Sequence, residues 1–148
     1  MDERDRLVQH LKVFFEENAR RYGIEMVFLY GSWARGIPRW DSDIDIAVIF
    51  WKENDSEQEG FLHITDISYN LSEELKREVN IIRIHFDFRN PMLYYNAIVL
   101  GIPLFVKDKN RYARIIMEAI YQMEDFSIFG LDWQYETARK NLEVLGNA

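Results

Sequence analysis

EMVFLYGSWARGIPRWDSDIDIAVIF, residues 25–50, is the stretch on which the reading of the fold turns. Its first part, Glu25 to Tyr30, is a short apolar run of the length that suits a buried strand. The run passes directly into Gly31-Ser32, and a short turn with a second glycine, Gly36, follows. Residues 43–50 then read as a second strand. Asp43, Asp45 and Ala47 share one face of it, and Ile44, Ile46 and Val48 share the other.

Working outward, residues 3–22 place Leu7, Leu11, Phe14 and Tyr22 near one face at helical spacing, with Gly23 as the stop. On the other side, Lys52 to Gly60 reads as a polar loop. The helix after it repeats Phe61, Ile64, Ser68, Leu71 and Leu75 at three- and four-residue steps. Residues 80–88 alternate as a third strand, with Arg83, His85 and Asp87 opposite Ile82, Ile84, Phe86 and Phe88. Pro91 suits the first turn of a helix that reaches Leu100, and Gly101 closes it. Leu104 to Val106 is a candidate short strand. Two helices are expected after it, at about 110–127 and 132–145, separated near Gly130. The pattern is α/β (or α+β): a small mixed β-sheet backed by helices, with C-terminal helices beyond it. One domain is expected over residues 1–148, with a core at about 5–107 and a helical extension at about 108–146. Spacing leaves the strand order open.

The totals narrow the function classes. A chain of 148 residues with 48% hydrophobic content and ten Phe, eight Tyr and four Trp supports a real core. A net charge of −7 argues against direct nucleic-acid binding, which needs a basic surface to displace counterions. The absence of cysteine removes disulfides and thiolate metal sites. The charged start, MDERDRLVQH, does not look like a signal peptide, and no apolar run approaches the roughly 20 residues needed to cross a bilayer. A soluble cytoplasmic protein is the expectation.

Three features coincide within residues 25–50: a strand ending in Gly31-Ser32, a short turn, and a strand carrying Asp43 and Asp45. Glycine at a strand end lets the backbone approach a bulky anion closely. Backbone amides and the Ser32 hydroxyl can then donate to phosphate oxygens, with Arg35 and Arg39 as counter-charges. Aspartates at i and i+2 project from one strand face, so both carboxylates can grip one hard cation or a pair of them. Magnesium takes few protein carboxylates and fills its other positions with water and phosphate oxygens, as nucleotidyl transfer requires. A two-metal site needs a further carboxylate, and Asp87 is the candidate because it alternates outward on the third strand. By itself Gly-Ser is usually a turn, Asp-x-Asp is often a solvated strand face, and Ser42 can be a turn residue. The combination is more specific than its parts, since it puts all these groups at one sheet edge. The three histidines make no metal-ligand spacing. Trp33 and Trp40 flank the turn and are expected to pack over it. The stripe Ala138, Leu142 and Leu145 is amphipathic, with packing on its own domain favoured over a docking role.

Gly31-Ser32, ten intervening residues and Asp43-Ile44-Asp45 resemble the signature of the DNA polymerase β-like nucleotidyltransferase superfamily. Ser32-Trp33-Ala34-Arg35-Gly36 and Ser42-Asp43-Ile44-Asp45-Ile46-Ala47-Val48 look like its minimal nucleotidyltransferase (MNT) branch, which includes antitoxins paired with HEPN-domain ribonuclease toxins. The resemblance implies that Asp43 and Asp45 bind Mg2+ and position ATP, that Gly31 and Ser32 hold its phosphates, and that Arg35 and Ser42 belong to the nucleotide-binding set. It also implies transfer of AMP to a tyrosine of a HEPN toxin partner, within a possible hetero-oligomer. The family's third strand often reads Val-Asp-Leu-Val-Asp-Leu, whereas here the run is Ile82-Arg83-Ile84-His85-Phe86-Asp87-Phe88. If His85 or Asn80 stands at the third place instead of Asp87, the second metal would be weak. Two other readings remain: an antitoxin acting by contact alone, and transfer to a small molecule such as an aminoglycoside or to an RNA end. Small size weighs against both acceptors in the second, and the −7 charge weighs against RNA.

Overall fold

The computed structural model describes residues 2–39, 41–51 and 56–146; Trp40 and residues 52–55 of the polar loop lie outside them. The apolar run becomes β1 (Ile24–Tyr30), and the aspartate-bearing run becomes β2 (Ile44–Phe50). They pair antiparallel in a four-stranded sheet with β3 (Val79–Arg83) and β4 (Ile102–Val106), in the order β3-β2-β1-β4. β3 runs parallel to β2 and β4 antiparallel to β1, so the sheet is mixed.

Alternation along the strands explains the layers. Val27, Leu29, Ile44, Ile46 and Val48 face α1 (Glu3–Tyr22) and α3 (Glu57–Leu75). Met26, Phe28, Ala47 and Ile49 face α4 (Pro91–Ile98) and the start of α5 (Lys109–Gly146). The sheet is covered on both sides, which is why β1 is apolar at nearly every position. Its one acid, Glu25, is 3% exposed and pairs with Arg111 Nε at 2.8 Å, tying α5 to the sheet. Among the described residues, no helix is long and apolar enough to cross a membrane.

The structure corrects three expectations. The third strand ends at Arg83 and does not reach Phe88. The chain turns there, with the Phe88 amide donating to the His85 carbonyl (3.2 Å) and Phe88 at φ 48°. Phe88 is buried among α4 and α5 by that turn, not by strand alternation. The buried stripe of α3 begins at Gly60 and continues through Ile67 and Leu71, while Phe61 is 67% exposed. A Cβ on Gly60 would lie 2.6 Å from Arg83 Nη1, so a larger residue there would displace the end of that flexible side chain. Beyond residue 109 there is one helix of 38 residues, not two. Gly130 sits inside it in open space, and a helix-interior glycine costs only about 1 kcal/mol, too little to break so long a helix.

Gly101 joins α4 to β4 where the chain has no room for a side chain. A Cβ there would strike the carbonyl oxygens of Ala97 and of Leu29, the latter at 2.8 Å. Backbone atoms cannot swing aside, so Gly101→Ala is expected to cost at least about 2 kcal/mol and lower the melting temperature by roughly 6–8 °C in thermal unfolding followed by circular dichroism.

Candidate active site

Antiparallel pairing places Tyr30, the last residue of β1, opposite Asp45. The next residue, Gly31, has φ 77° and ψ −153°, a backbone region that side chains disfavour. A Cβ on it would lie 2.5 Å from Asp45 Oδ2, so only glycine brings the turn against that carboxylate. A four-residue helical turn, α2 (Ser32–Arg35), follows. Arg4 of α1 donates to the Ala34 carbonyl (2.5 Å), and buried Trp33 donates from Nε1 to the Ser42 carbonyl (3.4 Å) under the Arg77 guanidinium. Trp33 therefore packs under the turn, as expected of it. Ser42 Oγ accepts from the Arg39 amide (2.7 Å) and the Ser42 amide donates to the Arg39 carbonyl (3.0 Å). Ser42 thus shapes the turn, and its O–H proton is what it retains to offer a ligand.

Asp43 is exposed just before β2, and Asp45 follows two residues later near the start of that strand, at one end of the sheet. Across from them on β3, Asn80 is the parallel partner of Asp45 and donates from Nδ2 to Asp43 Oδ2 at 3.2 Å. Burial pushes the Asp45 carboxyl above its usual range; the Asn80 hydrogen bond opposes this, and the charge of Asp43 adds to it. Tyr30 is pushed up to about 12, first by burial and then by the Asp45 charge, so it stays a neutral O–H at physiological pH. Two adjacent carboxylates, one of them partly desolvated, form a hard-oxygen donor set that fits one magnesium ion. Among the described residues there is no group of three or more His, Cys, Asp or Glu side chains arranged to hold a metal.

Gly31, Ser32, Asp43 and Asp45 thus converge at one end of the sheet. Arg35 lies exposed beside them, lining a cleft of about 240 Å3 with Tyr30, Gly31, Leu93, Asn96 and Leu100. Asp87 does not join them. β2 and β3 run parallel with Ile44 opposite Val79 and Val48 opposite Arg83, so residues beyond Arg83 leave at the end of the sheet away from Asp43. There the Asp87 carboxylate is exposed and pairs with Arg89 (3.2 Å), which holds its pKa below the ordinary value. His85 lies at that far end too, 3.6 Å from Glu57 at the start of α3. Asn80, seven residues upstream of Asp87, is instead the β3 residue that stands beside the two aspartates. Tyr30 went unnoticed in the sequence; its position immediately before Gly31 was the available signal. A larger cleft of about 730 Å3, lined by Glu25, Trp51 and Arg111, opens at the far end of the sheet and is separate from this site.

A family model described as polymerase beta, nucleotidyltransferase matches residues 9–110. No curated protein matches the chain. Among solved structures, the chain resembles one of a toxin–antitoxin with AMP-PNP, with TM-score 0.67 and 15% identity over 86% of this chain and 98% of that one. It also resembles a chain of the tri-AMPylated Shewanella oneidensis HEPN toxin in complex with MNT antitoxin (TM-score 0.63, 14% identity, 88% and 98% covered). A toxin–antitoxin MntA-HepT structure matches with the same scores and coverage. At these identities the likeness is one of fold.

The raised Asp45 carboxyl makes its charge unfavourable to folding in the metal-free protein. A carboxyl with a folded-state pKa above its unfolded value binds its proton more tightly when folded, so stability falls as pH rises from the ordinary value of 3.8 through the raised one. Asp45→Asn is expected to raise the melting temperature of the metal-free protein at neutral pH. Melting curves across pH should show that gain disappearing below the ordinary carboxylate range.

Proposed function

Because the chain belongs to the polymerase β nucleotidyltransferase family, we propose that it is an MNT-type antitoxin. In this reading it transfers AMP from ATP to a tyrosine of a cognate HEPN ribonuclease toxin. The observation that carries the reading is the convergence of the Gly31-Ser32 turn with Asp43 and Asp45 at one sheet end, Gly31 lying against Asp45. The likeness in fold to an AMP-PNP-bound toxin–antitoxin and to a complex with a tri-AMPylated toxin supports the nucleotide and the acceptor. Gly31 lets the triphosphate come close to the backbone, and the Ser32 hydroxyl and nearby amides donate to its oxygens. Arg35 supplies positive charge at the mouth of the cleft, and Ser42 holds the turn in place. Asp43 and Asp45 would hold magnesium, which when bound neutralises the triphosphate and the leaving pyrophosphate. In the transfer the acceptor tyrosine oxygen bonds to the α-phosphorus, the α–β bridging P–O bond breaks, pyrophosphate leaves, and the phenol proton passes to water.

The partner fits the far part of α5. Ile128, Trp133, Tyr135, Leu142 and Leu145 are exposed there, the last two at 69% and 73%. Residues 124–146 carry five acids against two bases. A ribonuclease must present cations to RNA phosphates, so an acidic helix with an apolar stripe complements it in charge as well as in contact. The expectation that Leu142 and Leu145 pack on their own domain fails: their side chains are exposed. A reading as an antitoxin that acts by contact alone is favoured by one observation, the neutral Asn80 at the third place.

Incubation with labelled ATP, magnesium and the product of the neighbouring gene separates the two. Label on that partner, lost in the Asp43→Asn, Asp45→Asn double variant together with protection, supports transfer. Protection that survives the double variant without any label would leave contact as the mechanism. Leu142→Glu with Leu145→Glu is expected to weaken partner binding at least tenfold in calorimetry while leaving the melting temperature unchanged; unaltered affinity would remove α5 from the interface.

A further inference from the structure

A two-metal centre sets its ions roughly 3.5–4 Å apart, and such a pair of dications needs several negative ligands between and around it. This site offers two carboxylates and, where a third would stand, an amide. Asn80 is placed there by the β2–β3 register, directly opposite Asp45. Its Nδ2 faces Asp43 Oδ2 at 3.2 Å, so the oxygen a second ion would share with β3 is engaged by an N–H donor. Neither Asp87 nor His85 supplies the missing charge, because both lie beyond the far end of β3, where Asp87 pairs with Arg89 and His85 stands beside Glu57. Among the described residues, nothing else completes a set of three ligands.

We propose that this site holds a single divalent ion, at Asp43 and Asp45 with the nucleotide, and that Asn80 blocks the second ion by replacing a carboxylate with a hydrogen-bond donor. The proposal rests on the magnesium–nucleotide reading above. What Asn80 does instead is positional: it links β3 to the carboxylate pair and relieves part of their mutual repulsion without adding charge. Acceptor activation by a second cation is thereby left out, and the acceptor hydroxyl must be delivered in reactive form by its own surroundings.

Counting bound Mn2+ by electron paramagnetic resonance tests this, using the full chain and an equimolar non-hydrolysable ATP analogue. One ion per ternary complex is expected for the wild type and for Asn80→Ala, and two for Asn80→Asp. The metal-free Asn80→Asp protein should also melt lower than the wild type, because a third carboxylate then faces the other two, and Mn2+ with nucleotide should restore it. Two ions in the wild type, or one in a folded Asn80→Asp, would overturn the proposal while leaving the nucleotidyl-transfer reading standing. No nucleotide-dependent ion at all would overturn both. If Asn80→Asp is too unstable to assay, the wild-type and Asn80→Ala counts decide alone: one ion supports the proposal and two reject it.

Discussion

The antiparallel pairing of β1 with β2 is the constraint from which the site follows. Once Tyr30 is opposite Asp45, the residue after Tyr30 must turn within van der Waals reach of a carboxylate, and only glycine fits. That one contact brings the glycine turn and the Asp45 carboxylate to the same point. Both strands are buried on the two faces of the sheet, so a register slip would move every apolar side chain to the wrong layer. The core thereby protects the geometry of a site that it does not itself contain.

The opposed demands of fold and chemistry meet at Asp45. Its carboxyl is partly desolvated and stands beside Asp43, an arrangement that costs folding energy. Asn80 offsets part of that cost with a neutral donor. The result is a pair of adjacent acids bridged to β3 by a neutral side chain. The buried Glu25 shows the other solution to an acid in this sheet, a permanent partner in Arg111, which suits structure and leaves no capacity for a ligand.

The long α5 divides in the same way. Its first turns bury Ile115 and Ala119 against the sheet, whereas its later apolar residues stand in solvent. Helical periodicity is the same in both parts, since an amphipathic stripe has one appearance whether its cover is the same chain or another. Only the path of the helix past the end of α4 tells them apart.

Much was determined by sequence alone. Residues 25–50 carried the two central strands, the glycine turn between them and the shared face of Asp43 and Asp45, because these follow from period-two alternation and from local backbone chemistry. The family signature was legible for the same reason: its elements lie close together on the chain. What only the tertiary structure decided were pairings across distance. Alternation over residues 80–88 pointed to Asp87, but alternation carries no information on where a strand stops. β3 ended at Arg83, ahead of the turn at His85–Phe88, and the parallel register set Asn80, not Asp87, against the acids. Strand order, the exposed reach of α5 and the neutral third position at the Gly31–Asp45 site are properties of how separate segments meet, which no local pattern encodes.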